Sequence, residues 1–166
     1  MDVVTYDMVR SLQSELKQTV PFRSLAEEAH LSVIRTADLL TRVGAELLKG
    51  YGLTPTQYNV LRILRGAGAD GLPSGEVAER MITREPDITR LLDRMEARGW
   101  VHRRRDPADR RVMRAWITLA GHELTDQLDA PTAELQRRAL APLGEAKLAE
   151  LSDLLGSVRK GYLDGR

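Results

Sequence analysis

The chain has 166 residues, 42% hydrophobic and 30% charged, which suits one ordinary domain or a compact module with helical extensions and excludes two large domains. The lack of cysteine excludes disulfides, thiolate metal sites and cysteine redox sensing, while one Phe and two Trp leave the core to Leu, Val, Ile, Ala and Met, favouring helices packed on helices. The net charge of +1 hides an asymmetry: from Arg80 to Arg114 eleven arginines face six acids, so this stretch stands at +5 and the remainder at −4, one basic surface on an otherwise acidic body.

The first twenty residues contain Asp2, Asp7 and Glu15 and no unbroken apolar run, so they read as neither signal peptide nor membrane span, and a soluble, cytoplasmic protein is expected. Val9, Leu12, Leu16 and Val20 form a sparse helical stripe that ends near Pro21. From Ser24 to about Lys49, Val33, Ala37, Leu40, Gly44 and Leu47 recur at helical spacing, widened by Ile34 and Leu48, and Gly50-Tyr51-Gly52 stops the run.

Thr54, Pro55 and Gln57 compose a capping box with proline at the first helical position, predicting a helix from Pro55 to about Arg65 that buries Tyr58, Leu61 and Leu64. Gly66, Gly68, Gly71 and Pro73 read as a loop, after which Ser74 is expected to cap a short helix carrying Val77, Ala78 and Met81. A break at Thr83-Arg84-Glu85 precedes Pro86, which suits the first turn of a helix reaching Arg98. Ile88, Leu91, Leu92 and Met95 are its buried stripe, with Asp87, Thr89, Arg90, Asp93, Arg94 and Ala97 facing away and Gly99 as the stop.

The period then changes to alternation. Trp100 to Arg105 and Val112 to Ile117, joined by Asp106-Pro107-Ala108-Asp109, read as a β-hairpin with an arginine-rich tip. Thr118 caps a long helix through about Ala141 with a bend expected near Pro131, and Leu143 to Leu163 supplies a final leucine-rich helix after Pro142 and Gly144. Two short helices across a tight break, the second with a polar and basic outer face, match the geometry that sets a recognition helix in the DNA major groove, and a basic hairpin beside it can reach the minor groove or the backbone.

Leu53-Thr54-Pro55-Thr56-Gln57-Tyr58, then Ile88 to Glu96 (ITRLLDRME) with Gly99, then Asp106-Pro107-Ala108-Asp109-Arg110-Arg111, and finally Ile117-Thr118-Leu119-Ala120-Gly121 follow one another in an order and spacing that resemble the multiple antibiotic resistance regulator (MarR) family. The resemblance covers roughly residues 53 to 121. It implies a mainly α protein with a small β-hairpin: a winged helix-turn-helix head at 50–118, an N-terminal extension and dimerisation helix at 1–49, and C-terminal dimerisation helices at 119–166. It further implies a homodimer on an inverted repeat of double-stranded DNA, acting as a repressor that a small aromatic or anionic effector releases. Residues near His30, Arg35, Tyr58 and Arg62 are candidates to line the effector's cleft. Independently, the terminal helices carry more leucine than a small head needs, which fits either dimerisation or packing within one chain.

Thr89 and Arg90 match the recognition-helix motif. Arginine can hold guanine O6 and N7 together and aspartate can accept from cytosine N4, so Arg90 and Asp87 are the candidate base readers, with Arg84 and Arg94 on phosphates. Asp87 can equally serve the positive end of its own helix. In the hairpin, Asp109-x-Arg111 resembles the family pair in which the acid buttresses an arginine entering the minor groove, making Arg111 the first candidate and Arg110 the second, although either can instead pair with Asp106 or Asp109. Arg103, Arg104 and Arg105 alternate across a strand, so not all can touch DNA.

His30, His102 and His122 are too scattered for a metal site, and no phosphate-cradling loop or nucleophile elbow is present, so neither cofactor nor catalysis is expected. The competing reading is a winged-helix module that binds another protein and no DNA.

Overall fold

The structure, a computed structural model, describes residues 11–164. It comprises helices α1 (Leu12–Glu15), α2 (Leu25–Lys49), α3 (Pro55–Ala67), α4 (Ser74–Glu79), α5 (Ile88–Ala97), α6 (Leu119–Leu140) and α7 (Gly144–Asp164), and strands β1 (Leu72–Pro73), β2 (Val101–Arg105) and β3 (Met113–Ile117). The chain divides into two compact units, the first ending at Val43 and the second starting at Gly44. No helix among the described residues is long and apolar enough to cross a membrane.

In the first unit, α1 is a single turn capped by Ser11, shorter than the stripe to Pro21 predicted, because Lys17 takes a left-handed backbone (φ 52°) that ends the helix. Val9, the first residue of that stripe, lies outside the described residues. Of the stripe predicted along α2, Val33, Ile34 and Leu40 are exposed in this unit, whereas Leu48, in the second unit, is buried.

The second unit has one core, made by Leu53, Val60, Leu61, Leu64, Leu72, Val77, Leu91, Leu92, Met95, Val101, Ala115 and Leu128 with Leu48 from the last turn of α2. Its helices start where the capping chemistry directs. Thr54 Oγ1 accepts the Gln57 N–H at 3.2 Å and Gln57 Oε1 accepts the Thr54 N–H at 3.0 Å, the reciprocal box predicted at the start of α3. Two expected starts differ. Ser74 does not cap α4; Pro73 holds that position, and the Ser74 hydroxyl donates to the Met113 carbonyl at 3.1 Å, tying α4 to β3. Pro86 precedes α5 and lies outside it, because Asp87 is its N-cap and accepts the Arg90 N–H at 3.0 Å.

The hairpin expected from the alternation is present, and a third strand joins it. Leu72–Pro73, read from sequence as loop, pairs antiparallel with β3, giving the order β1-β3-β2 with Leu72 opposite Ala115 and Arg103 opposite Ala115 on the other side. Two residues are too few for a periodicity signal, and only the partner strand defines them. Gly71 just before β1 has φ 58°, and a side chain there would run into the Ala115 carbonyl and the Trp116 indole, so the approach of β1 to β3 requires glycine.

Helix α6 leaves the sheet through a compact joint. Thr118 Oγ1 donates to the Gly99 carbonyl at 2.6 Å while accepting the Gly121 N–H at 3.1 Å, and the Thr118 N–H reaches the Trp100 carbonyl at 3.1 Å. The helix runs through Pro131 without a break. Gly121 is buried where a methyl would overlap the Trp100 carbonyl oxygen and crowd Ile117. Gly121→Ala should therefore destabilise the fold by about 1–3 kcal/mol despite alanine's better helix propensity; urea unfolding of the full chain measures it, and an unchanged or raised midpoint would contradict the packing described.

Candidate nucleic-acid interface

The basic surface begins at the break between α4 and α5. Asn59 Oδ1, on α3, accepts the Ile82 N–H at 2.9 Å and fixes the break to the helix beneath it. Leu91, Leu92 and Met95 bury one side of α5, which by helical geometry sends Thr89, Arg90, Asp93 and Arg94 to solvent, and all four are exposed. Asp87 meets one residue twice: besides capping the helix through the Arg90 N–H, its second oxygen forms an ion pair with Arg90 Nε at 3.2 Å. Arg84 and Arg94 are exposed and make no hydrogen bond or ion pair among the described residues.

Strand β2 is joined to α5 by one arginine. Arg103 has only 11% of its side chain exposed; its Nε donates to Glu96 at 3.0 Å, its backbone N–H donates to the same carboxylate at 2.8 Å, and its Nη2 reaches Asp93. Strand alternation sends the next residue the other way: Arg104 lies over the Trp116 ring at 6.0 Å and donates to His102 Nε2 at 3.0 Å. Sequence reasoning recognised that the three consecutive arginines cannot all face one partner. It missed that Asp93 and Glu96, three apart on one face of α5, are the acceptors for Arg103, although that spacing is the available signal.

The tip of the hairpin is organised by two aspartates. Asp106 accepts the Ala108 N–H at 2.8 Å and Arg114 Nε at 3.0 Å, and these bonds hold its carboxyl below the usual aspartate range. Asp109 receives Arg111 three times, from Nε and Nη2 at 3.1 Å and from the backbone N–H at 3.0 Å, and its carboxyl is likewise held low, chiefly by the guanidinium. Arg111 remains 91% exposed. The Arg110 carbonyl accepts Arg105 Nη1 at 2.7 Å, while the Arg110 side chain is exposed and has no partner among the described residues.

Helix and hairpin meet in a cleft of about 430 Å³, walled by Thr89 of α5, by Arg103, by Arg111, Val112 and Met113 of the hairpin, and by Pro73, Ser74 and Gly75 at the start of α4. Thr89 and Arg111 thus open onto one concave surface. The other candidates lie elsewhere. On α2 in the first unit, His30 is exposed and Arg35 Nε stands 4.0 Å from Glu15. Tyr58 and Arg62 belong to the second, with the guanidinium 6.0 Å above the phenol ring and the Tyr58 hydroxyl 3.3 Å from Thr132 Oγ1.

Comparison with known proteins agrees with this architecture. The model of the MarR family matches residues 51–112, the stretch from the end of α2 to the tip of the hairpin. A crystal structure of a MarR transcription factor from Planctomyces limnophilus is 38% identical, covering 82% of this chain and 98% of that one, with a TM-score of 0.64. This chain belongs to the MarR family. The HTH-type transcriptional regulator PecS of Dickeya dadantii is 27% identical over 133 residues, 80% of either chain. A mutant Escherichia coli MarR, solved in complex with operator DNA, is 25% identical over 78% of this chain and 91% of that chain, with a TM-score of 0.71. As a MarR-family member, the protein is a DNA-binding transcription regulator with a winged helix-turn-helix fold.

The tip aspartates give the hairpin a signed pH response. A carboxyl held below its ordinary value stabilises the folded tip fully above the unfolded aspartate pKa of about 3.9 and loses that contribution as the pH falls through the lower folded value. Carboxyl NMR titration should therefore give Asp106 and Asp109 midpoints below about 3.9, with the Ala108 and Arg111 amides shifting only in that acid range; midpoints at or above it would show that the bonds to Ala108, Arg114 and Arg111 do not persist in solution.

Proposed function

We propose that the protein represses transcription by binding, as a homodimer, an inverted-repeat operator, with α5 in the major groove and the β2–β3 hairpin against the adjoining minor groove. The observation that carries this is the shared concave surface: Thr89 on the helix and Arg111 on the hairpin wall one cleft, so a single duplex can meet both. Arg90 reads bases, Thr89 and Asp87 border it, Arg84 and Arg94 hold phosphates, and Arg111, buttressed by Asp109, enters the minor groove with Arg110 beside it. A guanidinium suits that groove because A·T-rich minor grooves are narrow and electronegative.

Homodimerisation is supported by apolar side chains that the single chain leaves in water. These are Val33, Ile34, Leu40 and Val43 on α2 and Leu154, Val158 and Leu163 on α7. In this reading residues 50–118 are the DNA-binding head and the segments 1–49 and 119–166 bring two heads together. A small aromatic or anionic effector, met by Tyr58 and Arg62, releases the operator by favouring a dimer whose recognition helices no longer match successive grooves. The protein acts by binding and not by turnover, in the cytoplasm where its DNA target lies.

Fluorescence polarisation with duplexes selected from a random pool tests the interface. A binder making about six to ten phosphate contacts should lose roughly 10³ to 10⁵ in affinity between 50 and 200 mM salt. Arg111→Ala should weaken binding to many sequences and flatten the salt dependence by about one unit of slope, whereas Arg90→Ala should relax preference at one base pair by about 1–3 kcal/mol. Parent-like binding by both variants would mean that this surface is not the DNA contact, and no duplex binding at low salt would leave the protein-interaction module as the better reading.

A further inference from the structure

We propose that Asp87 is a positioning residue for base recognition, orienting Arg90 so that its terminal nitrogens are presented to a guanine and kept off the phosphate backbone. The inference rests on Arg90 being a base reader and adds how it is aimed.

Arg111 and Arg90 each face an aspartate shortly upstream. In each case the aspartate accepts the arginine's own backbone N–H at 3.0 Å; Asp109 also accepts a hydrogen bond from Arg111 Nε at 3.1 Å, whereas Asp87 forms an ion pair with Arg90 Nε at 3.2 Å. The backbone bond matters because it fixes the carboxylate before the guanidinium arrives. An exposed ion pair is weak largely because two flexible side chains must be ordered. Here the helix cap has already ordered one of them.

The two arginines then differ in what they have left. Arg111 also spends Nη2 on Asp109, which leaves Nη1 as its wholly free terminal nitrogen. Arg90 is ion-paired at its Nε side, and neither Nη1 nor Nη2 makes a hydrogen bond among the described residues. A fork of two parallel donors matches the O6 and N7 acceptors on the major-groove edge of guanine. A single donor suits the A·T minor groove, whose edge offers only isolated acceptors. The carboxylate adds a second effect by repelling phosphates, so the pair opposes the sequence-independent contact that an unpaired arginine at this exposed site would make.

Asp87→Ser and Asp87→Asn separate this role from helix capping, since both residues are good N-caps and neither carries the charge. The full chain is assayed against a duplex selected by the parent, the same duplex substituted at the base pair whose preference Arg90→Ala relaxes, and an unrelated duplex. Both Asp87 variants should melt like the parent, bind the unrelated duplex more tightly, and lose roughly two- to fivefold of the discrimination between the first two duplexes. In the free protein, the Arg90 Nε–H resonance should shift in both as the neighbouring carboxylate is removed. Unchanged discrimination with the Nε–H signal altered would make Asp87 a cap only and overturn the inference. If Arg90→Ala itself relaxes no base pair, the base-reading assignment fails first and the positioning role with it.

Discussion

The interface depends on one constraint, that the recognition helix and the hairpin move as one body. Packing alone supplies part of it: Leu91, Leu92 and Met95 press α5 into the same core that receives Val101 and Ala115 from the strands. Arg103 supplies the rest, because its guanidinium and its backbone N–H both end on acids of α5 while 89% of its side chain is out of water. An exposed ion pair contributes about 0–1 kcal/mol, but a charge removed this far from solvent is costly to leave unmatched. The hairpin therefore cannot swing from the helix without separating Arg103 from both acids, and the spacing of α5 and the hairpin is set inside the fold.

That constraint divides the arginines. Arg80 pairs with Glu76; Arg98 lies over Trp100 and donates to the Gly52 carbonyl; Arg103, Arg104, Arg105 and Arg114 brace the hairpin from its two faces. Arg84, Arg94 and Arg110 are exposed and make no hydrogen bond or ion pair through their side chains among the described residues, while Arg90 and Arg111 each face an aspartate and stay exposed. The acids sort by the same logic, and Asp93, Glu96 and Asp106 serve the brace while Asp87 and Asp109 hold arginines that point outward. A basic stretch with a local excess of five is thus partly scaffold, and its usable positive surface is smaller and better placed than its composition suggests.

A second set of contacts carries the head's orientation into α6. Arg65 on α3 donates to Asp129 at 2.8 and 2.9 Å and to Asp126 at 3.2 Å, and the hydrogen bond to Asp129 holds that carboxyl below its usual range while raising the guanidinium. Tyr58 reaches Thr132, about three turns along α6 from Gly121, which packs against the Trp100 carbonyl and Ile117. The helix that leads toward α7 is therefore fixed to the head along several turns.

Sequence alone determined the features that local chemistry decides. The capping box at Thr54, the buried and exposed faces of α5, the hairpin between Trp100 and Ile117 and the Thr118 start of α6 follow from side-chain spacing and backbone geometry, whatever else the chain does. The candidate residues on the basic face were legible for the same reason, since 3.6-residue and 2-residue periods fix which side chains share a side. Tertiary structure decided the pairings. A two-residue strand at Leu72 exists only because β3 lies beside it, Ser74 turns from capping to bracing because the Met113 carbonyl is within reach, and Arg103 becomes scaffold because Asp93 and Glu96 are carried to it by a helix seven to ten residues earlier. Periodicity says which way a side chain points, and only the fold says what it meets there.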